Sequence, residues 1–462
     1  MKRQIAIIAA GAAVLLAAPL IPGAVTPAIA QVALPPLTDP LDPTLRRTQD
    51  ELDSRIRRRA KDTEETADKL PGSDELLEAG TNAVDETLTT AAKVGEIAMG
   101  TVTGVVRAFV AGTDVNGWTI EDDVVVLLLD EDQLTLLRYG AFDVIAERKL
   151  QSLGLTLVSL RDPGRSTIAQ SVVDLRAALP GAAIDFNHIY AFAGSDPAPS
   201  ESGVKEDVAP AGDANSLRIG MIDSAVDLAH FSLRESRVFD ADFVTLEGER
   251  PLGHGTAVAS LIARSADDQA QIFAASVFFQ APNHTPGAST ESLVAALDWL
   301  ATQEVDVVNM SLAGPPNALL ERALAAIAMN GLPVVAAVGN NGPAAEPLYP
   351  AAYDLVVGVT AIDRDKQVFR YANRGTQVDF AALGVDVKVA DAGAGWRLES
   401  GTSMASPHVA VVIAATRRAS GLSVDALLES LQSGAEDLGQ KGFDPVFGYG
   451  LIVQPAPLLS GN

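Results

Sequence analysis

A histidine flanked by glycines is the residue best suited to acid–base chemistry in this sequence. His254 lies in the run Gly253-His254-Gly255-Thr256, directly before a helix-forming segment. Glycines on both sides let other backbone come close and leave the ring facing a cleft. His254 is therefore the candidate general base. The other four histidines have neighbours typical of packing, of loops or of a helix interior: His188, His230, His284 and His408.

An aspartate and a serine, both distant in sequence, can complete a proton-transfer set with His254. Asp223 ends the apolar run 217–222, where a carboxylate can accept Nδ1–H of the imidazole and leave Nε2 free as base. Ser403 begins a helical segment, where the helix dipole and free N–H groups favour developing negative charge. Taken singly, these two residues have structural explanations, a turn-forming aspartate and a helix-capping serine. Together with His254 they predict nucleophilic catalysis by Ser403.

An asparagine after another apolar run can supply a further donor. The sequence Ala337-Val338-Gly339-Asn340-Asn341 predicts a strand that ends in a turn. An asparagine side chain there can donate a hydrogen bond to a tetrahedral oxyanion, beside the backbone N–H of Ser403. Of the two asparagines we prefer Asn340, which lies nearer the strand end.

With these motifs, residues 217–452 resemble the catalytic domain of subtilisin-like serine proteases, the subtilases. The chain order Asp, His, Ser is that of subtilisin, and the stretch 309–314 and Gly448-Tyr449-Gly450 add to the resemblance. Ala225 and Ala257 depart from the glycine and histidine usual in the family, but neither touches proton transfer. The resemblance implies a serine endopeptidase that acts through an acyl-enzyme. It also implies a set of substrate-binding residues, of which Val338 is expected to narrow the primary specificity pocket: Ser311, Leu312, Ala313, Gly314, Ala337, Val338 and Gly339.

Competing functions make different demands on the sequence. An α/β-hydrolase esterase needs its histidine after the serine and acid, and a chymotrypsin-like enzyme would consist largely of strands. A catalytically inactive binding or chaperone module on the subtilase fold is the remaining alternative, although all four catalytic positions carry competent residues. Acidic loops suited to a metal are not recognisable, and no cofactor is expected.

Strands and helices alternate from Leu217 onward, which predicts an α/β fold with a parallel sheet covered by helices on both faces. In such sheets ligands bind beyond the carboxyl ends of the strands, where the motifs lie. The expected strands are 217–222, 272–279, 306–312, 333–338 and 355–362, and the expected helices are 254–264, 290–303, 318–330 and 403–420.

A small α+β module is predicted upstream, over residues 122–192. Strands are expected at 124–129, 155–160 and 184–192, and helices at 133–145 and 167–179. The module resembles subtilase propeptides, which assist folding and block the cleft, so it is an expected partner of the catalytic domain 217–455. Cleavage is expected near Tyr190 to Ala193, before a linker over 193–216. The alternative is that the module stays covalently attached.

The N-terminal residues are typical of a secretory signal peptide over 1–30. Lys2 and Arg3 precede the apolar stretch 5–20, and Ala28-Ile29-Ala30 provides a small-residue cleavage site. This predicts secretion or a periplasmic location, with an uncleaved membrane anchor as the alternative. Residues 31–121 form a linker and a weakly helical region to which the sequence assigns no chemistry.

Composition excludes several other classes. The net charge of −25 argues against nucleic acid as a partner, because a phosphate backbone requires basic patches. The absence of cysteine excludes disulfides, thiolate metal sites and cysteine nucleophiles. The resemblance to subtilases implies protein or peptide chains as the substrates.

Overall fold

The computed structural model describes residues 106–140, 142–161, 167–193, 216–234, 236–266, 270–393 and 395–452. The predicted signal peptide, the segment 31–105 and the linker residues 194–215 lie outside the described residues. One compact unit contains Thr101–Leu134 and Phe142–Asn462, and of a second unit only the helical turn and bend at 135–140 are described.

An antiparallel sheet with two helices forms the upstream module. Its elements are β1 (Ala111–Thr113), β2 (Thr119–Leu129), α1 (Glu131–Arg138), β3 (Asp143–Leu150), β4 (Leu155–Arg161), α2 (Ile168–Ala178) and β5 (Ala183–Phe192). The strand order is β3-β4-β2-β5, with β1 paired to β2. Thr167 caps α2 by accepting a hydrogen bond from the backbone N–H of Gln170.

One predicted element of this module is wrong. The helix expected over 133–145 ends at Arg138, and the chain from Asp143 onward is strand β3. Gly140 interrupts the helical pattern, and β3 pairs with β4 from Asp143 to Leu150, with a register shift between Val144 and Ala146. Cross-strand pairing therefore determines the conformation of residues 143–145, which the predicted helix included.

A seven-stranded sheet lies at the centre of the second part of the chain. The strands after the module are β6 (Leu217–Asp223), β7 (Arg237–Asp242), β8 (Ala270–Ser276), β9 (Phe278–Phe279), β10 (Gly287–Ser289), β11 (Val307–Met310), β12 (Leu312–Ala313), β13 (Val334–Ala337), β14 (Val356–Ile362), β15 (Phe380–Leu383), β16 (Val387–Asp391) and β17 (Gly395–Glu399). The order is β15-β14-β13-β11-β6-β8-β7, and every neighbouring pair is parallel. This confirms the predicted α/β fold.

Helices cover both faces of this sheet, which is why strands β8, β11, β13 and β14 are buried along their whole length. They are α3 (Gly253–Ser265), α4 (Thr290–Thr302), α5 (Ala318–Met329), α6 (Thr402–Ser420) and α7 (Val424–Gly434). Helices α3 and α6 share one hydrophobic cluster, and α4 and α5 share another to which the module contributes. No helix in the described ranges is long and apolar enough to cross a membrane.

From Leu217 onward, the predicted helices agree with the structure to within one residue at each end and the predicted strands to within about two, although the strands expected at 272–279 and 306–312 are each divided into two. Strands β7 and β15, the hairpin β16–β17 and helix α7 were not predicted. Strand β7 lies at an edge of the sheet and has mixed polar and apolar residues, so its sequence lacks the apolar run that marks a buried strand.

Candidate active site

Asp223 and His254 form a hydrogen-bonded pair at the carboxyl end of the central strands. Asp223 is the last residue of β6, and His254 is the second residue of α3. Nδ1 of the imidazole lies 2.7 Å from Oδ1 of the carboxylate, and both side chains are 1% exposed. This contact orients the ring and leaves Nε2 available to a third group.

The glycine after His254 permits this arrangement. A Cβ on Gly255 would lie 2.2 Å from the carbonyl oxygen of Ser224, so a larger residue would push α3 away from β6. The Gly255 N–H also donates to Oγ of Ser224 at 2.8 Å, and the Ser224 N–H donates to Oδ1 of Asp223 at 2.7 Å. The turn after β6 and the start of α3 are thereby joined.

Ser403 is the second residue of α6 and is fully buried. Its Oγ donates a hydrogen bond to the carbonyl oxygen of Ser311 at 3.2 Å. Nε2 of His254 is buried and has no hydrogen-bond partner within the described ranges. The hydroxyl and the imidazole are therefore not hydrogen-bonded to each other in this state.

Ala193, at the end of the upstream module, connects the two donors selected from the sequence. Its carbonyl oxygen accepts a hydrogen bond from the backbone N–H of Ser403 at 3.2 Å and another from Nδ2 of Asn340. Oδ1 of Asn340 in turn accepts the N–H of Thr402 at 3.1 Å, and Oγ1 of Thr402 accepts the N–H of Gly339 at 3.2 Å. Thr402 therefore holds the Asn340 amide with its NH2 group toward the carbonyl, a role that the sequence did not indicate.

The last residues of β5 lie in the cleft as an added strand. Phe192 pairs with Leu312 and Ala191 with Ala313 in antiparallel register, and the Ala193 N–H donates to the Ser311 carbonyl at 3.3 Å. On a second strand, Tyr190 pairs with Ala288 of β10. The stretch 311–314, selected for substrate binding, thus receives a chain segment in extended conformation.

The side chains of Phe192 and Ala193 both contact residues of the site. The Phe192 ring stacks on the imidazole of His254, with centroids 4.4 Å apart. Because the adjacent residue Ala193 contacts Ser403, these two contacts bring His254 and Ser403 to one short stretch of backbone. The side chain of Ala193 packs with Ala313, Ala337 and Leu348.

Leu348 was not selected from the sequence, whereas Val338 was. The side chain of Val338 belongs to the large core cluster shared with α4 and α5, and it lies toward Gly358. Leu348 belongs to the small cluster around Ala193, and its methyl group lies against Gly339. A leucine in a loop carries no sequence signal for such a position.

The other histidines have structural partners. His188 contacts Asp114 and Asn317, His230 contacts Ser232 and the Gly395 carbonyl, and the His284 ring packs on Phe109. Nδ1 of His408 lies 2.7 Å from Oγ of Ser265. Burial, with the nearby charge of Arg264, lowers the pKa of His408 to about 4. Within the described part of the chain, no three side chains among His, Asp and Glu cluster as metal ligands would.

Comparison with known proteins identifies the family. The model of the subtilase family matches residues 214–450. The chain belongs to the subtilase family. It is 32% identical over 248 residues to subtilisin DY of Bacillus licheniformis, which covers 51% of this chain and 89% of that protein.

Other relatives are longer than the shared region. The chain is 31% identical over 251 residues to the minor extracellular protease Epr of Bacillus subtilis (strain 168), and this match spans 52% of the chain but only 38% of the relative. The fold is similar to that of fervidolysin from Fervidobacterium pennivorans, a keratinolytic enzyme related to subtilisin. The TM-score is 0.59 and the identity 19%, over 76% of this chain and 62% of that one. The additional coverage beyond the matched family region extends the structural likeness past the catalytic domain.

Proposed function

We propose that this subtilase is a serine endopeptidase that hydrolyses peptide bonds through an acyl-enzyme intermediate. The observation that carries the proposal is the carbonyl group of Ala193. Its oxygen accepts hydrogen bonds from the backbone of Ser403 and the amide of Asn340, as a scissile carbonyl must during attack by Ser403.

The proposed reaction assigns one step to each group. Oγ of Ser403 attacks the carbonyl carbon while Nε2 of His254 takes its proton and then gives that proton to the leaving amine. Asp223 stays ionised and stabilises the imidazolium through the 2.7 Å contact with Nδ1. Water then attacks the acyl-enzyme with His254 again as base. Before the first attack, the Ser403 hydroxyl must leave the Ser311 carbonyl and turn toward His254.

The upstream module is proposed to act as a blocking propeptide whose cleavage site is the bond after Ala193. Support comes from its docking on α4 and α5. The carboxylate of Asp298 in α4 accepts backbone N–H groups from the turn 151–153 at 2.8 to 3.2 Å. Oδ2 of Asp185 accepts the N–H of Ala318 at the start of α5, at 2.9 Å. Helix N-termini favour such acceptors.

A second candidate is a catalytically inactive module on the same fold. The hydrogen bond from Ser403 to Ser311, and the occupation of the cleft by the chain's own strand, are the observations that favour it. A serine-reactive fluorophosphonate probe separates the two, because an inactive module has no activated hydroxyl to label.

Location outside the cytoplasm is also proposed. It rests on the signal-peptide pattern of residues 1–30 and on the extracellular protease named among the relatives. Protein or peptide chains in that compartment are the proposed substrates.

Mass spectrometry of the purified chain tests the proposal. The wild type should yield a new N-terminus after Ala193, and Ser403→Ala should remain uncut and unlabelled by the probe. Ser420→Ala, an exposed serine at the end of α6, is the matched control and should behave as the wild type. Equal N-termini in the wild type and Ser403→Ala, together with no labelling of either, would remove the assignment.

A further inference from the structure

We infer that the cleft selects the sequence Tyr-X-Phe-Ala and cuts after the alanine, and that Leu348 and Phe278 set this selectivity. The inference rests on the proposed peptidase function and specifies its substrate class. It is drawn from the segment Tyr190–Ala193, whose side chains fill the cleft of the same chain in alternation. Residues 190, 192 and 193 are buried, whereas Ala191 is exposed.

The place beside the scissile bond accommodates a methyl group. Ala193 is 2% exposed and packs against Ala313, Ala337 and Leu348. Leu348 lies across this place, with its methyl group against Gly339. A larger side chain would have to displace Leu348, and overpacking of this kind is costly in a dense interior. Leu348 thus restricts the residue before the cut to alanine or a smaller one.

The subsite that holds Phe192, the residue before Ala193, is lined by aromatic rings. Phe192 stacks on Phe278, with centroids 3.9 Å apart and planes 17° apart, and also on the imidazole of His254. Phe192 is 8% exposed and belongs to the core cluster shared with α4 and α5. A substrate phenylalanine there gains stacking and keeps water from the face of His254.

The subsite that holds Tyr190, three residues before Ala193, recognises a phenol group. Tyr190 is fully buried, and its hydroxyl donates to the carbonyl oxygen of Pro315 at 2.9 Å. Its ring lies directly over Gly314, where a Cβ would come within 2.4 Å of the ring. A phenylalanine would leave the Pro315 carbonyl without this donor, and buried sites discriminate against such analogues. The exposed third residue is not discriminated.

Cleavage within the full chain tests the two determinants. Ala193→Phe should slow the appearance of the new N-terminus at least about tenfold because the phenyl ring does not fit. Adding Leu348→Ala to that variant should restore most of the rate, which a folding defect in Ala193→Phe would not allow. Phe192→Ala should slow the cut about tenfold through the loss of stacking and burial.

Coumarin-linked tetrapeptides give a second measurement on the same protein. We expect Tyr-Ala-Phe-Ala and Tyr-Lys-Phe-Ala to have the same, highest kcat/KM. Phe-Ala-Phe-Ala should have a lower value, and the lowest values should be those of Tyr-Ala-Ala-Ala and Tyr-Ala-Phe-Phe. Phe278→Ala should remove most of the difference between phenylalanine and alanine at the peptide residue that corresponds to Phe192. Leu348→Ala should raise turnover of the peptide that ends in phenylalanine.

The outcomes separate this inference from the proposed function. A chain that neither cuts itself nor reacts with the fluorophosphonate probe fails as a peptidase, and the inference falls with it. A chain that is labelled, but cuts Ala193→Phe and Phe192→Ala as fast as the wild type or turns over all peptides equally, is a peptidase without this selectivity. If labelling occurs without self-cleavage, the peptide order alone decides.

Discussion

Oδ1 of Asp223 lies 2.7 Å from Nδ1 of His254, in a site where both side chains are almost fully removed from water. The two residues are 31 positions apart in the chain and come from the end of a strand and the start of a helix. In such a dry site the carboxylate fixes which imidazole nitrogen carries the proton.

Asp223→Asn is therefore expected to lower kcat by about 10⁴-fold, because the amide favours the wrong tautomer of His254. The rate should be measured as release of coumarin from the tetrapeptide Tyr-Ala-Phe-Ala. The thermal midpoint should change little, since Asn is isosteric with Asp. A mutant that keeps wild-type turnover would show that His254 does not act through this contact.

Asn340→Ala is expected to lower kcat about 10²- to 10³-fold with little change in KM, as removal of such an asparagine does in subtilisin. The neighbouring Asn341 has an exposed side chain. Its backbone N–H, rather than its side chain, donates a hydrogen bond to Oδ1 of Asn373. Asn341→Ala is thus the matched control and should change kcat by less than about twofold. Equal losses in both variants would contradict the assignment of Asn340.

The buried His408 is expected to lower the free energy of unfolding at acid pH. Burial lowers its pKa to about 4, below the 6.5 of an unfolded chain, so the unfolded state binds the proton first as the pH falls. The free energy of unfolding should drop by about 3 kcal/mol between pH 6.5 and pH 4 from this group alone. Urea unfolding of Ser403→Ala avoids self-digestion. His408→Gln in that background should flatten this part of the pH profile, and an unchanged slope would refute the prediction.

The buried Asp379 is expected to have the opposite effect, so that its contribution to the free energy of unfolding falls as the pH rises. Burial raises the pKa of Asp379 to about 6. The hydrogen bond from the Gly358 N–H to its Oδ2 lowers this pKa, but by less than burial raises it. Because the folded state holds the proton more tightly, this contribution is present below pH 3.8 and is lost as the pH rises through 6. In the same background, Asp379→Asn should be more stable than its parent at pH 8 by about 3 kcal/mol, and equal to it near pH 4. Equal stability at both values would contradict the shift.

Arg107 joins the module to the catalytic domain through buried charges. Its Nη2 lies 2.9 Å from Glu121 and 2.7 Å from Glu291, with every side chain 6% exposed or less. Burial disfavours the charged guanidinium, but the two carboxylates outweigh it and raise the pKa of Arg107 above its usual value.

Arg107→Met is expected to destabilise the Ser403→Ala chain by about 3–5 kcal/mol, because two buried carboxylates lose their cation. Lys149→Met removes the exposed ion pair with Glu131 and should cost less than about 1 kcal/mol. Urea midpoints of the two variants give the comparison. Similar midpoints would show that the Arg107 network adds nothing to the docking of the module.

Sequence patterns predicted most of the catalytic fold because its helices and buried strands are long apolar runs with clear boundaries. They were less successful where pairing or packing decides the structure. The first three residues of strand β3, 143–145, were predicted as helix, because their extended conformation depends on pairing with β4. The role of Thr402 was not predicted, since no local pattern shows that its N–H orients the amide of Asn340.

By itself, the sequence determined the chemistry available to this chain: the order Asp223, His254, Ser403, the asparagine after a strand, and the parallel sheet that carries them. Those properties follow from residue type and periodicity, which are local. Only the tertiary structure decided that the carbonyl of Ala193 meets Ser403 and Asn340, and that Leu348 and Phe278 shape the places beside it. Such contacts join residues up to 210 positions apart, and their distances depend on packing that no single segment encodes.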